Sequence, residues 1–219
     1  MCAVIGVHLR DVSHSDLELV NDLFRQSMIR GKHATGATYL KEEMLVTVKE
    51  SIPVDQFLDK WDIADWCDGT NLRMIGHVRY STSDLRYNQP FQNDYVSIAH
   101  NGVISQEPHH QWEFETETEN DSELILKAIE NKENPLRYYA NRSMAVTQIT
   151  ATGDLSGYRN HERPLWYAER DNGIFFASTK DILDRTGIEG AVRCDPFVQY
   201  IYNGSLVEVH HEMPYEDLQ

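Results

Sequence analysis

The sequence predicts one layered α+β domain, and three observations carry that prediction. Short apolar segments of strand length recur from the second residue to about residue 209. A few amphipathic segments of helical period lie between them. No internal repeat, low-complexity stretch or Pro/Gly/Ser-rich linker divides the 219 residues, a length that can bury one sizeable core. Residues 1–219 are therefore read as a single domain.

The elements follow in order. Cys2-Ala-Val-Ile-Gly-Val-His-Leu9 reads as a strand at the very start of the chain, and Ser15 with Glu18 three residues on reads as a capping box for a helix carrying Leu19, Leu23 and Met28. Strands are expected at Ala37 to Leu40 and Met44 to Val48, then a helix over Val54 to Trp66 with Phe57, Trp61 and Ala64 on one face. Met74 to Tyr80 and Tyr95 to His100 read as strands around a polar loop, Ser81 to Asp94. A helix over Asp121 to Ile129 presents Leu124, Ile125 and Ala128 on one side. Further strands are expected at Ala145 to Thr150, Leu165 to Ala168, Ile174 to Ala177, Val198 to Tyr202 and Leu206 to Val209, with a helix over Lys180 to Arg185 and a mildly acidic tail from Glu212.

Composition narrows the function. Twenty basic against thirty-five acidic residues give a net charge of -15, which opposes non-specific attraction to nucleic acid or to an anionic membrane. The three cysteines, Cys2, Cys67 and Cys194, are an odd number without metal-ligand spacing, which argues against a disulfide framework and a zinc site and for a reducing, cytoplasmic setting. No apolar run is long enough to span a bilayer, and no charged segment leads into a signal-like apolar stretch.

Cysteine at position 2 has a particular chemical meaning. Removal of Met1 places a thiol and a free α-amine on one residue, and an α-amine titrates at about 7.7 to 8.0, so it can take the thiol proton and later return it to a leaving amine. Taken alone, a second-position cysteine is weak evidence. Arg79 alone would read as a surface ion-pair arginine, Asp121 as a helix N-cap, and Asn101-Gly102 as a hairpin turn.

The order of the segments changes that reading. Met1-Cys-Ala-Val-Ile-Gly6, Arg30-Gly31, Gly76-His-Val-Arg-Tyr-Ser-Thr82, Asn88-Gln-Pro-Phe91, His100-Asn-Gly-Val-Ile104 and Asn120-Asp-Ser-Glu123 resemble, in sequence order, the motifs of class II glutamine amidotransferases. Arg159-Asn160 and Arg163-Pro-Leu165 resemble a further segment of that family, with altered spacing and Tyr158 in place of its alanine. The Gly76 and Asn88 segments are more similar to the glutaminase half of amidophosphoribosyltransferase than to that of glucosamine-6-phosphate synthase.

The resemblance implies a four-layer α-β-β-α sandwich of the N-terminal-nucleophile hydrolase type, with Cys2 at the end of a central strand as nucleophile. It implies that Arg79 holds the glutamine α-carboxylate, that Asp121 holds its α-ammonium, and that the Asn101 side chain and the Gly102 N–H form an oxyanion hole. It assigns no proton-transfer role to His77 or His100, which read as structural. Lys32, His33 and Ala34 depart from the family segment that runs from Arg30-Gly31 to Gly36. Cys67 and Cys194 read as packing residues. Such a glutaminase half-reaction needs no metal or organic cofactor. No synthase-like segment follows in the sequence, so the ammonia acceptor is expected on a separate synthase subunit; a stand-alone hydrolase of γ-glutamyl or related amides is the alternative, and a binding module that has kept the fold but lost catalysis is a third reading.

Overall fold

The computed structural model describes residues 1–81 and 85–212. Thr82, which closes the Gly76 motif, and the acidic tail beyond Glu212 lie outside the described residues.

Two antiparallel sheets organise the chain. With strands numbered along the sequence, the first sheet holds β1 (Ala3–Leu9), β2 (Ala34–Lys41), β3 (Met44–Glu50), β4 (Leu72–Arg79), β9 (Trp166–Arg170), β10 (Gly173–Ala177) and β11 (Val192–Arg193), in the spatial order β11-β9-β10-β1-β4-β2-β3. The second holds β5 (Phe91–Gln92), β6 (Val96–Val103), β7 (Ser143–Thr150), β8 (Leu155–Arg159), β12 (Val198–Tyr202) and β13 (Leu206–His210), in the order β13-β12-β8-β7-β6-β5. The helices are α1 (His14–Ser27), α2 (Val54–Lys60), α3 (Glu123–Glu130), α4 (Pro135–Tyr138) and α5 (Lys180–Thr186).

Strand alternation builds the layers, because successive side chains leave a strand on opposite faces. Ala3, Ile5, Val7 and Leu9 of β1 pack with Val20, Leu23 and Phe24 of α1 and with Ile182 and Leu183 of α5. Val4, on the other face, joins Ile75 of β4, Phe176 of β10, Ala99 of β6 and Ala145 and Ile149 of β7 between the two sheets. Behind the second sheet, Ile98, Met144 and Val146 meet Leu124, Ile125 and Ala128 of α3 and Leu136 of α4. The order is helix, sheet, sheet, helix, the sandwich that the motifs implied. Two polar stitches cross the sheet interface: Thr147 Oγ1 donates to the Ile5 carbonyl at 3.1 Å, and the hydroxyls of Thr38 and Ser97 lie 2.8 Å apart.

Several expectations need correction. The capping box of α1 uses Ser13 and Asp16, not Ser15 and Glu18: Asp16 Oδ2 accepts from the Ser13 N–H at 2.9 Å, and Ser13 Oγ accepts from the Asp16 N–H at 3.2 Å. The expected helix over Val54 to Trp66 stops at Lys60, since Trp61 takes an extended conformation and Asp62 then caps a separate 3-10 turn, Ile63–Trp66, by accepting from the Ala64 N–H. α3 begins at Glu123, so Asp121 lies just outside it. Central strand β8 was not anticipated; its sequence, Leu-Ser-Gly-Tyr-Arg, is short and interrupted by a glycine.

Phe176 occupies the centre of the inter-sheet layer and is wholly buried. Phe176→Ala should lower the unfolding free energy by about 3 to 5 kcal/mol, read as a shift in urea denaturation midpoint. A loss under about 1 kcal/mol would mean that the two sheets are not close-packed there.

Candidate functional site

The same alternation that makes the core gathers the motif residues at one end of the inter-sheet space. On β4, Ile75 faces the second sheet, so His77 and Arg79 follow it on that face. On β1 the inward series runs His8, Gly6, Val4 and, one residue before the strand, Cys2. Ala3 pairs with Val78, which sets Cys2 beside Arg79. On β6, Ala99 points between the sheets while Ile98 points to α3, so Asn101 is aimed into the inter-sheet space from the opposite wall.

Cys2 sits under a cationic roof. Its Sγ donates to the Tyr80 carbonyl at 3.7 Å, and the Arg30 Nε donates to the Cys2 carbonyl at 2.8 Å. Burial pushes the Cys2 thiol above its ordinary range, opposed by the Tyr80 carbonyl bond, the chain terminus, Arg79 and Arg30. Gly31 makes this approach possible: a Cβ there would lie 2.3 Å from the Tyr80 nitrogen, so any side chain would push the end of α1 away from the end of β4.

The wall opposite is held by a side chain acting as a strand. β5 ends the sheet beside Ile98 and Ser97, and beyond it Gln89 takes the next rung of the β6 edge. Gln89 Oε1 accepts from the His100 N–H at 2.6 Å, and Nε2 donates to the His100 carbonyl at 3.1 Å and to Ser122 Oγ at 3.0 Å. Ser122 Oγ lies 2.8 Å from His100 Nδ1, and His100 Nε2 lies 3.2 Å from the Ser143 carbonyl. A carbonyl only accepts, so the proton resides on Nε2 and the Ser122 hydroxyl donates to Nδ1. His100 is fully buried and its pKa is lowered by that burial, which fits a neutral ring fixed in one tautomer.

Two donors are left at the end of this edge. Asn101 is 3% exposed and its Nδ2 is buried without a hydrogen-bond partner, an arrangement that costs free energy unless an acceptor arrives. By ladder alternation the Gly102 N–H faces the same edge as that of His100, beyond the reach of Gln89. A Cβ on Gly102 would lie 1.8 Å from the Ser143 carbonyl oxygen, so only glycine lets β6 and β7 close up here.

Arg79 and Asp121 share a cavity of about 460 Å³ whose wall also includes Tyr87, Asn120, Trp112 and His109. Arg79 Nη1 donates to the Tyr87 carbonyl and to Asn88 Oδ1, both at 2.7 Å, which fixes the guanidinium at the cavity wall. Asp121 Oδ2 accepts from the backbone N–H groups of Ile104 and Ser105 at 2.6 and 3.0 Å. Asp121 therefore braces the exit of β6 rather than capping its own helix. The capping position belongs to Ser122, whose side chain makes no capping bond. Cys2, Asn101 and Gly102 do not line this cavity; Val103, which does, links it to the end of β6.

Each residue of Asn120-Asp-Ser-Glu123 pins a different segment. Asn120 Nδ2 donates to the Tyr87 carbonyl at 3.0 Å, Asp121 takes the β6 exit, Ser122 takes Gln89 and His100, and Glu123 accepts from the Glu117 and Thr118 N–H groups at 2.8 and 2.9 Å. The roles of Gln89, Ser122 and Glu123 escaped sequence reasoning, although all three lie inside recognised motifs. Cys194 is buried, and burial also pushes both it and Cys67 above the ordinary thiol range, as packing cysteines should be. Among the described residues no cluster of His, Cys, Asp or Glu could hold a metal ion.

The sequence matches no protein-family model and no curated protein. Solved structures are similar in fold. A glutamine phosphoribosylpyrophosphate amidotransferase from B. subtilis superposes with a TM-score of 0.75 at 19% identity, over 97% of this chain and 50% of that one. A structure described as the allosteric regulatory enzyme of purine biosynthesis gives 0.73 at 18% identity, again over 97% and 50%. A glutamine aminotransferase class-II domain protein from Silicibacter pomeroyi gives 0.59 at 12% identity, over 95% of this chain and 99% of that one. The fold is thus that of class II glutamine amidotransferase domains, and the chain spans about half the length of the first two proteins.

Burial lowers His77 from 6.5 to about 3 and His8 to about 4. The unfolded chain binds protons at these sites below about pH 6.5 while the folded chain does not, so the sign is fixed: stability is full above about 6.5 and falls as pH drops towards 4. Urea midpoints measured across that window should decline with acidity, and His77→Gln should flatten the decline. An unchanged slope in the variant would contradict a buried neutral His77.

Proposed function

We propose that this chain is a class II glutaminase domain that hydrolyses the side-chain amide of glutamine through a thioester on Cys2. The observation that carries the reading is the unpartnered Asn101 Nδ2, aimed between the sheets at the end where Cys2 and Arg79 stand side by side. A buried donor in search of an acceptor, opposite a thiol, suits an oxyanion better than it suits a folded core.

The chemistry follows from the groups present. After Met1 is removed, the Cys2 α-amine takes the thiol proton, and Sγ attacks the glutamine Cδ. The amide oxygen becomes an oxyanion held by Asn101 Nδ2 and the Gly102 N–H. The C–N bond breaks as the α-ammonium returns a proton to nitrogen, leaving ammonia and a γ-glutamyl thioester. Water, deprotonated by the same amine, attacks the thioester and releases glutamate. Arg79 binds the substrate α-carboxylate, and Asp121 binds its α-ammonium while Oδ2 keeps the β6 exit in place. The cationic surroundings of Cys2 favour thiolate once burial has raised the thiol pKa.

The ammonia acceptor lies on a separate synthase subunit in this reading, and the setting is the cytoplasm, in keeping with three free cysteines and with the absence, among the described residues, of a helix long and apolar enough to cross a membrane. The net charge of -15 leaves direct nucleic-acid binding out of it. A stand-alone hydrolase of γ-glutamyl or related amides is the second reading.

Asp121→Asn separates charge from bracing, because asparagine keeps an oxygen for the Ile104 and Ser105 amides but cannot neutralise an ammonium. With Met1 removal verified by intact mass, kcat/KM for glutamine should fall roughly 30-fold to several thousand-fold, the span of about 2 to 5 kcal/mol for an unpaired charge. Full activity in this variant would remove Asp121 from substrate binding. An amide lacking the α-amino group should be a poor substrate for the ammonia-supplying enzyme and a good one for the broader hydrolase.

A further inference from the structure

The N-terminus is gripped by two arginines from distant parts of the chain. Arg30, just beyond α1, donates through Nε to the Cys2 carbonyl at 2.8 Å and through Nη2 to Met1 Sδ at 3.6 Å. Arg163, from the loop between β8 and β9, donates through Nη1 to the same sulfur at 3.6 Å and through Nε to Ser143 Oγ at 2.5 Å. The Ser143 carbonyl is the acceptor of His100 Nε2 and the atom against which Gly102 packs. One guanidinium thus joins the chain terminus to Ser143 at the start of β7, the residue whose carbonyl lies against Gly102 and His100 of β6.

Removal of Met1 takes away the thioether but neither cation. The Cys2 nitrogen becomes an α-amine on the residue whose carbonyl Arg30 holds, next in sequence to the methionine whose sulfur both arginines contact. We propose that Arg163 is a positioning residue that keeps the mature Cys2 amine neutral and able to accept a proton, acting with Arg30 across the space Met1 vacates. This rests on the reading of Cys2 as an N-terminal nucleophile.

The electrostatic surroundings agree in sign. Arg30, at the end of α1, and Arg79, at the end of β4, act on Cys2, and Arg163 is close enough to act on both Arg30 and His100. His77 follows on β4 and is held neutral by burial; His33 accepts from the Ser81 N–H through Nδ1 and lies against Tyr80. Among the described residues, the carboxylates on these elements include Asp121, which braces the β6 exit, and Glu162, on the wall of the adjoining cavity with Ser143 and Arg142. Nearby positive charge favours the neutral form of an amine, so removing one cation raises the pH at which the amine loses its proton.

The test is the pH profile of kcat/KM for glutamine in processed wild type, Arg163→Met and Arg163→Lys, with a mature N-terminus confirmed for each by intact mass. In Arg163→Met the acid limb should move up by about 0.5 to 1 pH unit, so the loss is about three- to tenfold at pH 6 and smaller at pH 9. Arg163→Lys, which keeps the charge, should restore most of the limb. A uniform loss at all pH values, or an unmoved limb, would overturn the proposal. NMR titration of a ¹³C-labelled Cys2 α-carbon reads the same shift without turnover. A moved titration in a protein inactive on glutamine would sink the glutaminase reading and keep this one, whereas an unmoved titration in an active enzyme would do the reverse.

Discussion

The site depends on one sheet edge being finished by a side chain. β5 pairs with β6 over only two residues, and the next backbone groups along β6, the N–H and C=O of His100, are buried and must be satisfied. Gln89 satisfies both, as a missing strand would, and stops there. A longer β5 would cover the rest of the edge and leave no open backbone donor at Gly102. A missing Gln89 would leave two buried backbone groups unpaired, each at a cost of about 1 to 3 kcal/mol. The edge is therefore closed up to His100 and open beyond it.

Around that edge, rigidity and vacancy are produced by the same residues. Ser122 ties Gln89 to His100, His100 ties β6 to the start of β7, and Asp121 holds the turn that leaves β6. Preorganised donors are useful only if they do not move to meet each other, and Asn101 is kept from a partner by a wall that is fixed at every neighbouring position. The opposing wall is equally constrained: β1 is buried along its whole length, so the position of Cys2 is set by the packing of Ala3, Val4 and Ile5 rather than by a mobile terminus.

Much of this was legible in the sequence, for identifiable reasons. A strand that is largely apolar along its length, such as β1, announces itself because both faces are covered. α3 was visible through Leu124, Ile125 and Ala128, and the motif order pointed to Cys2, Arg79, Asn101, Gly102 and Asp121 before any geometry. What failed was chemistry decided by distant neighbours. Ser13-x-x-Asp16 and Ser15-x-x-Glu18 are equal as local patterns, but Asn172 also donates to Asp16 and Arg170 lies within ion-pair distance of it, so tertiary contacts choose the earlier pair. β8 hides its strand character in Ser156 and Gly157, which are acceptable only because the sheets close over them. Gln89 fell in the expected polar loop and Ser122 in the expected first turn of a helix, and neither position revealed its role, since a backbone edge lacking a strand cannot be seen in a sequence.

The central claim is that this open edge and the terminal cysteine form one reaction centre, and affinity labelling addresses it most directly. Processed protein treated with a glutamine-like diazoketone should gain one adduct, which peptide mapping places on Cys2, with glutamine protecting and Cys67 and Cys194 left unmodified. Labelling at Cys67, or labelling of Cys2 that glutamine does not slow, would contradict the account.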